Sequence, residues 1–277
     1  MLDVSLEYPR QMMVHIVKFI RRVCKSRRFR AIVNNDSRNA RDNYLSCSEY
    51  MLDLLRVRAR PLVLRVDLYF EGDAKVFSES KSAGKAHDKF MRNLSESKIV
   101  PDVLAYISKR ENGLERRIHF HVLIALDGNK HWQAHSLAEE LGHYWVDHCV
   151  GSSLFASYKN CFERKDEYEF NCLGLLHYAD EHMLRGLRLA LEYLCKEDSH
   201  ILVGAGMGRN LRKGQSPDLP ADGERRGAPR KYGNDVSLAE RILHAKADKT
   251  RSRRFRADSK HPIALMTQAI GIDQSAG

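Results

Sequence analysis

Arg116-Arg117-Ile118-His119-Phe120-His121-Val122-Leu123-Ile124-Ala125-Leu126 is the segment from which the rest of this chain can be organised. Its apolar, β-branched run predicts a strand over 117–126. Side chains alternate along a strand, so His119 and His121 share one face while Phe120 and Val122 share the other. Two imidazoles one pleat apart can grip one metal ion, although the same pair also suits two hydrogen-bonded histidines on a half-buried sheet face.

Upstream, Glu111-Asn112-Gly113 reads as a hairpin turn, because Asn-Gly tolerates the positive φ angles a tight turn needs. Residues 103–110 then form the antiparallel partner strand. Further upstream, Leu62–Phe70 is a dense apolar run interrupted by Arg65 and Asp67, which predicts another core strand. A polar helix is expected over 86–99, a helix over 135–149, a weaker strand within 167–177 and a last helix over 180–196. This order predicts an α+β fold: an antiparallel-rich central sheet with helices packed on one face.

The flanks differ in character. Residues 1–60 read as a helical N-terminal extension, with one amphipathic helix from Tyr8 to Cys24 and a second over 48–58. Residues 61–202 hold the core domain. Residues 203–277 are rich in glycine and then in basic residues, including Arg251, Arg253, Arg254 and Arg256, and read as a flexible basic tail suited to nucleic-acid phosphates.

The whole chain has 277 residues and a net charge of +10, which favours a polyanionic partner. No apolar stretch approaches the roughly 18–20 residues that span a bilayer, and the N-terminus lacks a signal-peptide pattern. A cytoplasmic protein with no membrane partner is the expectation. Six cysteines occur without a Cys-x-x-Cys pair, so neither a zinc knuckle nor a disulfide framework is indicated.

Two imidazoles leave a divalent cation under-coordinated, so a third ligand is needed. Glu111, next to the turn, is the first candidate; Glu115 and Asp67 compete with it. On the last helix, Leu184, Leu187, Leu191 and Leu194 define a buried stripe. Tyr193 and Lys196 lie off that stripe, one turn apart. A tyrosine is a poor nucleophile at its ordinary pKa near 10 and needs nearby positive charge, which Lys196 can supply. His131 and His135 have metalloprotease-like spacing but lack the glutamate base, and read as helix-start structure. Gly204-Ala-Gly206-Met-Gly208 matches a phosphate-binding loop only loosely and reads as a linker.

Taken together, Leu-Arg-Val-Asp-Leu at 64–68, Tyr-Ile-Ser-Lys-Arg-Glu at 106–111, His-Phe-His-Val-Leu-Ile at 119–124 and Tyr-Leu-Cys-Lys at 193–196 resemble the HUH endonucleases. The likeness is stronger to the replication-initiator-like proteins of filamentous phages and related prophage genes, and covers roughly residues 50–200. It implies an HUH/RRM-like fold. It also implies His119, His121 and Glu111 as ligands of Mg²⁺ or Mn²⁺, Tyr193 as nucleophile and Lys196 as its phosphate-facing helper. The implied activity is nicking of single-stranded or hairpin origin DNA through a 5′-phosphotyrosine, starting rolling-circle replication, with a host helicase or polymerase as the partner such an activity calls for. The motif holds a single tyrosine, so a two-tyrosine strand-transfer cycle is not implied, and Glu197-Asp198 place acid directly after the lysine. A catalytically inactive DNA-binding or regulatory descendant is the alternative, as is a transposase or relaxase with the same chemistry.

Overall fold

The computed structural model describes residues 4–72, 81–113, 117–196, 210–217 and 236–245. Residues up to Leu243 form one compact unit. In chain order its main elements are helices α1 (Val4–Lys25) and α2 (Arg27–Val57), strand β1 (Leu62–Phe70), helix α3 (Lys81–Ser95), strands β2 (Val103–Gly113) and β3 (Arg117–Leu126), helix α4 (Ala134–Tyr144), strands β4 (Ala156–Asn160) and β5 (Gly174–Leu175), helix α5 (Glu181–Leu194), strand β6 (Leu211–Lys213) and helix α6 (Ser237–Leu243). Helix α4 runs on into a π-helical turn over Trp145–Val150, and a 3₁₀ segment covers Cys161–Glu167.

Every strand pairing among the described residues is antiparallel. The sheet order is β4-β1-β3-β2-β6, with β5 pairing the first residues of β1. The fold is thus α+β with an open antiparallel sheet. Strand alternation sorts the side chains onto two faces. One face carries Leu64, Val66 and Leu68 of β1 with Phe120, Val122 and Ile124 of β3, and packs against Phe90, Met91 and Leu94 of α3 and Leu137, Ala138 and Leu141 of α4. The other carries Val63, Ala105, Ile107, Leu123 and Ala125, and packs against α2, α5 and α6.

Helices therefore cover both faces, which corrects the expectation of one. The reason lies in β1 and β3, buried on both sides over most of their length; a strand apolar in both registers needs cover on both faces. Helix α2 supplies part of it: Cys47, Tyr50, Met51, Leu54 and Leu55 are buried, so the second half of the N-terminal extension is core. Its start is fixed at Ser26, whose hydroxyl accepts the Phe29 N–H at 3.2 Å.

Two pieces of the expected tail are also built into this unit. Strand β6 pairs with β2 from Ile107 to Lys109, and Lys213 Nζ donates to the Ser46 carbonyl. Helix α6 buries Ala239, Ile242 and Leu243, and the Leu243 carbonyl accepts from the Tyr44 hydroxyl. A three-residue edge strand, Leu211-Arg212-Lys213, and a seven-residue helix carry too little periodicity to stand out from a charged background. The turn also moves: Glu111, Asn112 and Gly113 pair with His119, Ile118 and Arg117 inside the ladder. Glu115 lies outside the described residues, as do Gly204–Gly208, Glu197-Asp198 and the arginines at 251, 253, 254 and 256.

Candidate metal centre

Register places the site. Across the helix α5 side of the sheet, His119 lies between Glu111 on β2 and Tyr69 on β1, and His121 lies between Lys109 and Asp67. The two strand pairings thus bring Glu111, Asp67 and both histidines onto one face, beyond the apolar rows of Val63, Ala105, Ile107, Leu123 and Ala125. Phe120, between the histidines, points the other way and stacks on buried His87 at 3.9 Å between ring centroids.

One ligand atom each from Glu111, His119 and His121 lie within 4.8 Å of one another. Glu111 Oε2 is 3.8 Å from His119 Nε2 and 3.6 Å from His121 Nε2. Both imidazoles are oriented from behind. His119 Nδ1 donates to the Arg117 carbonyl at 3.0 Å, and His121 Nδ1 lies 2.7 Å from Asp67 Oδ1. A carbonyl and a carboxylate can only accept, so both Nδ1 atoms carry protons, and the Nε2 atoms, the ones left for a metal, face Glu111. Asp67 therefore touches the nitrogen remote from the ligand group and orients His121 instead of competing with Glu111. Arg65, a donor only, braces Asp67 through Nε at 3.1 Å. Tyr69 stacks on the His119 ring at 5.6 Å.

Helix α5 brings in the tyrosine. Asp180 caps it by accepting the Met183 N–H at 3.0 Å, and Glu181 in the first turn suits the helix dipole. Leu184, Leu187, Leu191 and Leu194 are fully buried, worth about 1.5–3 kcal/mol each in transfer terms. That seating turns Tyr193 toward the sheet, where its hydroxyl lies 3.2 Å from His121 Nε2. Lys196, two residues past the helix end, places Nζ 3.1 Å from Glu111 Oε1 and 4.0 Å from the Tyr193 ring centroid. Arg65 lies over the same ring at 4.9 Å. The Lys196 contact is an ion pair without hydrogen-bond geometry, and Glu111 Oε1 stays a buried oxygen with no hydrogen bond.

The ionisation pattern follows from these contacts. Burial by itself would raise both carboxyls, but the hydrogen bond to His121 and the Arg65 charge hold Asp67 far below its usual range. The hydrogen bond to His121 and the Lys196 charge push Glu111 down to about 2. Burial opposes charging of His121, yet its two carboxylate neighbours raise it above the ordinary histidine value; His119 is lowered, mainly by burial. Burial and the Glu111 charge raise Tyr193, so its phenol stays protonated at neutral pH.

An ionised carboxylate and two imidazole Nε2 atoms, which shed any proton they carry when a metal binds, form a donor set that fits a divalent cation. Two imidazoles tilt the preference toward a transition ion over Mg²⁺. Sequence reasoning did not assign Arg65 or Tyr69 a place here. The signal was alternation along β1, which puts 65, 67 and 69 on one face once β1 is paired with β3. Two other histidines lie elsewhere: His131 Nε2 is 2.8 Å from Asp102 just before α4, and His135 faces the exposed Glu163 at 3.5 Å. No helix among the described residues is long and apolar enough to cross a membrane. No protein-family model, curated protein or solved structure matches the chain.

Proposed function

We propose that this chain is a metal-dependent endonuclease that nicks single-stranded or hairpin origin DNA and starts rolling-circle replication, as its resemblance to the HUH endonucleases implies. The observation that carries the reading is the common focus of Glu111, His119 and His121 with the Tyr193 hydroxyl, 3.2 Å from one of the ligand nitrogens. A bare histidine pair has many structural uses. A histidine pair with an ionised carboxylate, a tyrosine hydroxyl and a half-exposed lysine at one point matches what phosphodiester attack requires.

Glu111, His119 and His121 would hold Mg²⁺ or Mn²⁺, whose charge polarises a phosphate oxygen and stabilises the negative charge developing there. The Tyr193 oxygen forms a bond to phosphorus while the 3′-oxygen leaves with the electron pair of the bond it had to phosphorus. The phenol gives up one proton and the leaving oxygen gains one, so the products are a 5′-phosphotyrosine and a free 3′-hydroxyl. Lys196 and Arg65 flank the tyrosine ring and offset the Glu111 charge that opposes phenolate formation. The free hydroxyl can prime synthesis by a host polymerase. Arg251, Arg253, Arg254 and Arg256 would add salt-sensitive affinity for the DNA backbone.

The test is covalent. The protein is incubated with labelled hairpin-bearing single-stranded oligonucleotides and Mn²⁺, and an SDS-resistant adduct is sought. Adduct from the native chain, absent with chelator and absent from Tyr193→Phe, supports the proposal. Adduct from Tyr193→Phe would remove the nucleophile assignment, and metal-independent DNA binding with no adduct across a hairpin library would favour the inactive DNA-binding alternative.

A further inference from the structure

The metal centre leaves α1 unused, and this helix has an unusual surface. From Pro9 to Arg30 the chain carries eight basic residues and no aspartate or glutamate. Within the same span Met12, Ile16, Phe19, Ile20 and Val23 are all exposed, between 39 and 64 %. At 100° per residue these five, with the half-buried Met13 and the exposed Val17, occupy an arc of about 160°. Lys18, Arg21, Arg22 and Lys25 occupy an arc centred about 170° away, and with Ser26 they line a shallow depression. Val14 and Gln11 interrupt the basic side, and Glu7, just before this span, falls on it as well. Nothing among the described residues covers the apolar arc, although α1 belongs to the same unit as the sheet.

We infer that α1 is an interfacial helix that docks this protein on an anionic lipid bilayer. The apolar arc would sink to the boundary between headgroups and acyl chains, while the basic arc would pair with lipid phosphates. Lying in the surface requires no spanning segment, so the expectation of no membrane partner, drawn from the lack of one, does not bear on it. Charge and chemistry separate the bilayer from the other occupants. A second copy meeting this face would bring two helices of the same strong positive charge together without a counter-charge. The 251–256 segment of the same chain is basic as well. Nucleic acid would match the lysines and arginines but leave four aliphatic side chains in water; single strands are held by aromatic platforms, and only Phe19 on this arc is aromatic. A bilayer with anionic headgroups satisfies both arcs at once.

Vesicle flotation of the full-length protein tests this, with phosphatidylglycerol–phosphatidylcholine vesicles against pure phosphatidylcholine. Binding is expected to the anionic vesicles, to weaken with salt, and to fall more than tenfold in the Ile16→Asp/Phe19→Asp double variant. Lys18→Gln and Arg22→Gln should each cost roughly fivefold. Both arcs are solvent-facing, so thermal unfolding of these variants should match the native chain, which separates lost docking from lost folding. Failure of the native chain to float with anionic vesicles, or equal flotation of the double variant, overturns the inference. So does a dimer in light scattering that the double variant dissociates, which would give the face to a second copy, or loss of oligonucleotide affinity by that variant without vesicles, which would give it to nucleic acid. The adduct assay reads the metal centre separately and does not depend on this outcome.

Discussion

Replacing Tyr193 by phenylalanine should abolish the DNA adduct and, at the same time, strengthen metal binding. The second effect comes from the geometry of the metal-free site. The Tyr193 hydroxyl lies 3.2 Å from His121 Nε2, so in the neutral imidazole it donates to the lone pair a cation must take. Binding metal costs the chain that hydrogen bond, whose net worth in a half-buried setting is about 0.5–1.5 kcal/mol. Tyr193→Phe removes the cost from the starting state only, because phenylalanine offers Nε2 nothing to give up. Mn²⁺ affinity, measured by titration calorimetry at neutral pH, should therefore rise roughly two- to tenfold, since 1.4 kcal/mol corresponds to a factor of ten. Glu111→Ala is the control and should bring Mn²⁺ binding close to background, as only two donors remain. A Tyr193→Phe protein that binds Mn²⁺ more than tenfold weaker would refute this account, because the phenol would then be a ligand and not a competitor.

Three further outcomes are expected. Asp67→Asn keeps an acceptor for His121 Nδ1 but removes the charge that sets the imidazole's basicity and orientation, so Mn²⁺ affinity should fall roughly 10- to 100-fold; unchanged affinity in calorimetry would show that Asp67 serves only Arg65. His87 is buried against Phe120 and bonded to Ser108 at 2.9 Å, and burial lowers its imidazole to about 3. The unfolded chain binds a proton there below its ordinary value near 6.5 and the native chain does not, so stability falls as pH drops from about 6.5 toward 3. By pH 5 the loss reaches about 2 kcal/mol, and urea unfolding at pH 7 and 5 should show a smaller difference for His87→Gln than for the native chain. An unchanged difference would mean that His87 charges freely in the fold. In α5, a Cβ at Gly186 would come within 2.2 Å of the Asn171 backbone, whereas one at Gly84 in α3 meets nothing within 4 Å. Gly186→Ala should cost roughly 1–3 kcal/mol and loosen the seat of Tyr193, while Gly84→Ala should be neutral or stabilising; thermal unfolding that ranks them the other way would contradict the packing described for α5.

How much of this was legible beforehand varies with the kind of signal. Strands β1 and β3 appear at the residues their apolar runs predict, because such runs report burial directly and need no partner to be recognised. Helix α5 was readable from Asp180 and the leucine stripe for a similar reason: capping and 3.6-residue periodicity are properties of the helix alone. Strand β4, Ala156–Asn160, went unseen because only its first and last residues are buried. The Asn112-Gly113 turn was misplaced because local φ preference could not reveal that the ladder continues two pairs beyond Glu111.

Sequence alone determined the strand alternation that puts His119 and His121 on one face, the helical stripe that frees Tyr193 from the core, and the charge pattern of the N-terminal helix. Each depends on neighbours within a few residues and on a fixed backbone repeat. Only the tertiary structure decided that Asp67 stands behind His121, that Arg65 braces Asp67, that Glu111 sits opposite His119, and that Tyr193 reaches the nitrogen a metal would use. Those contacts join β1, β2, β3 and the end of α5, across separations as large as the 72 residues between His121 and Tyr193. They are set by strand register and by the packing of a buried helix on the sheet, and no local propensity encodes either.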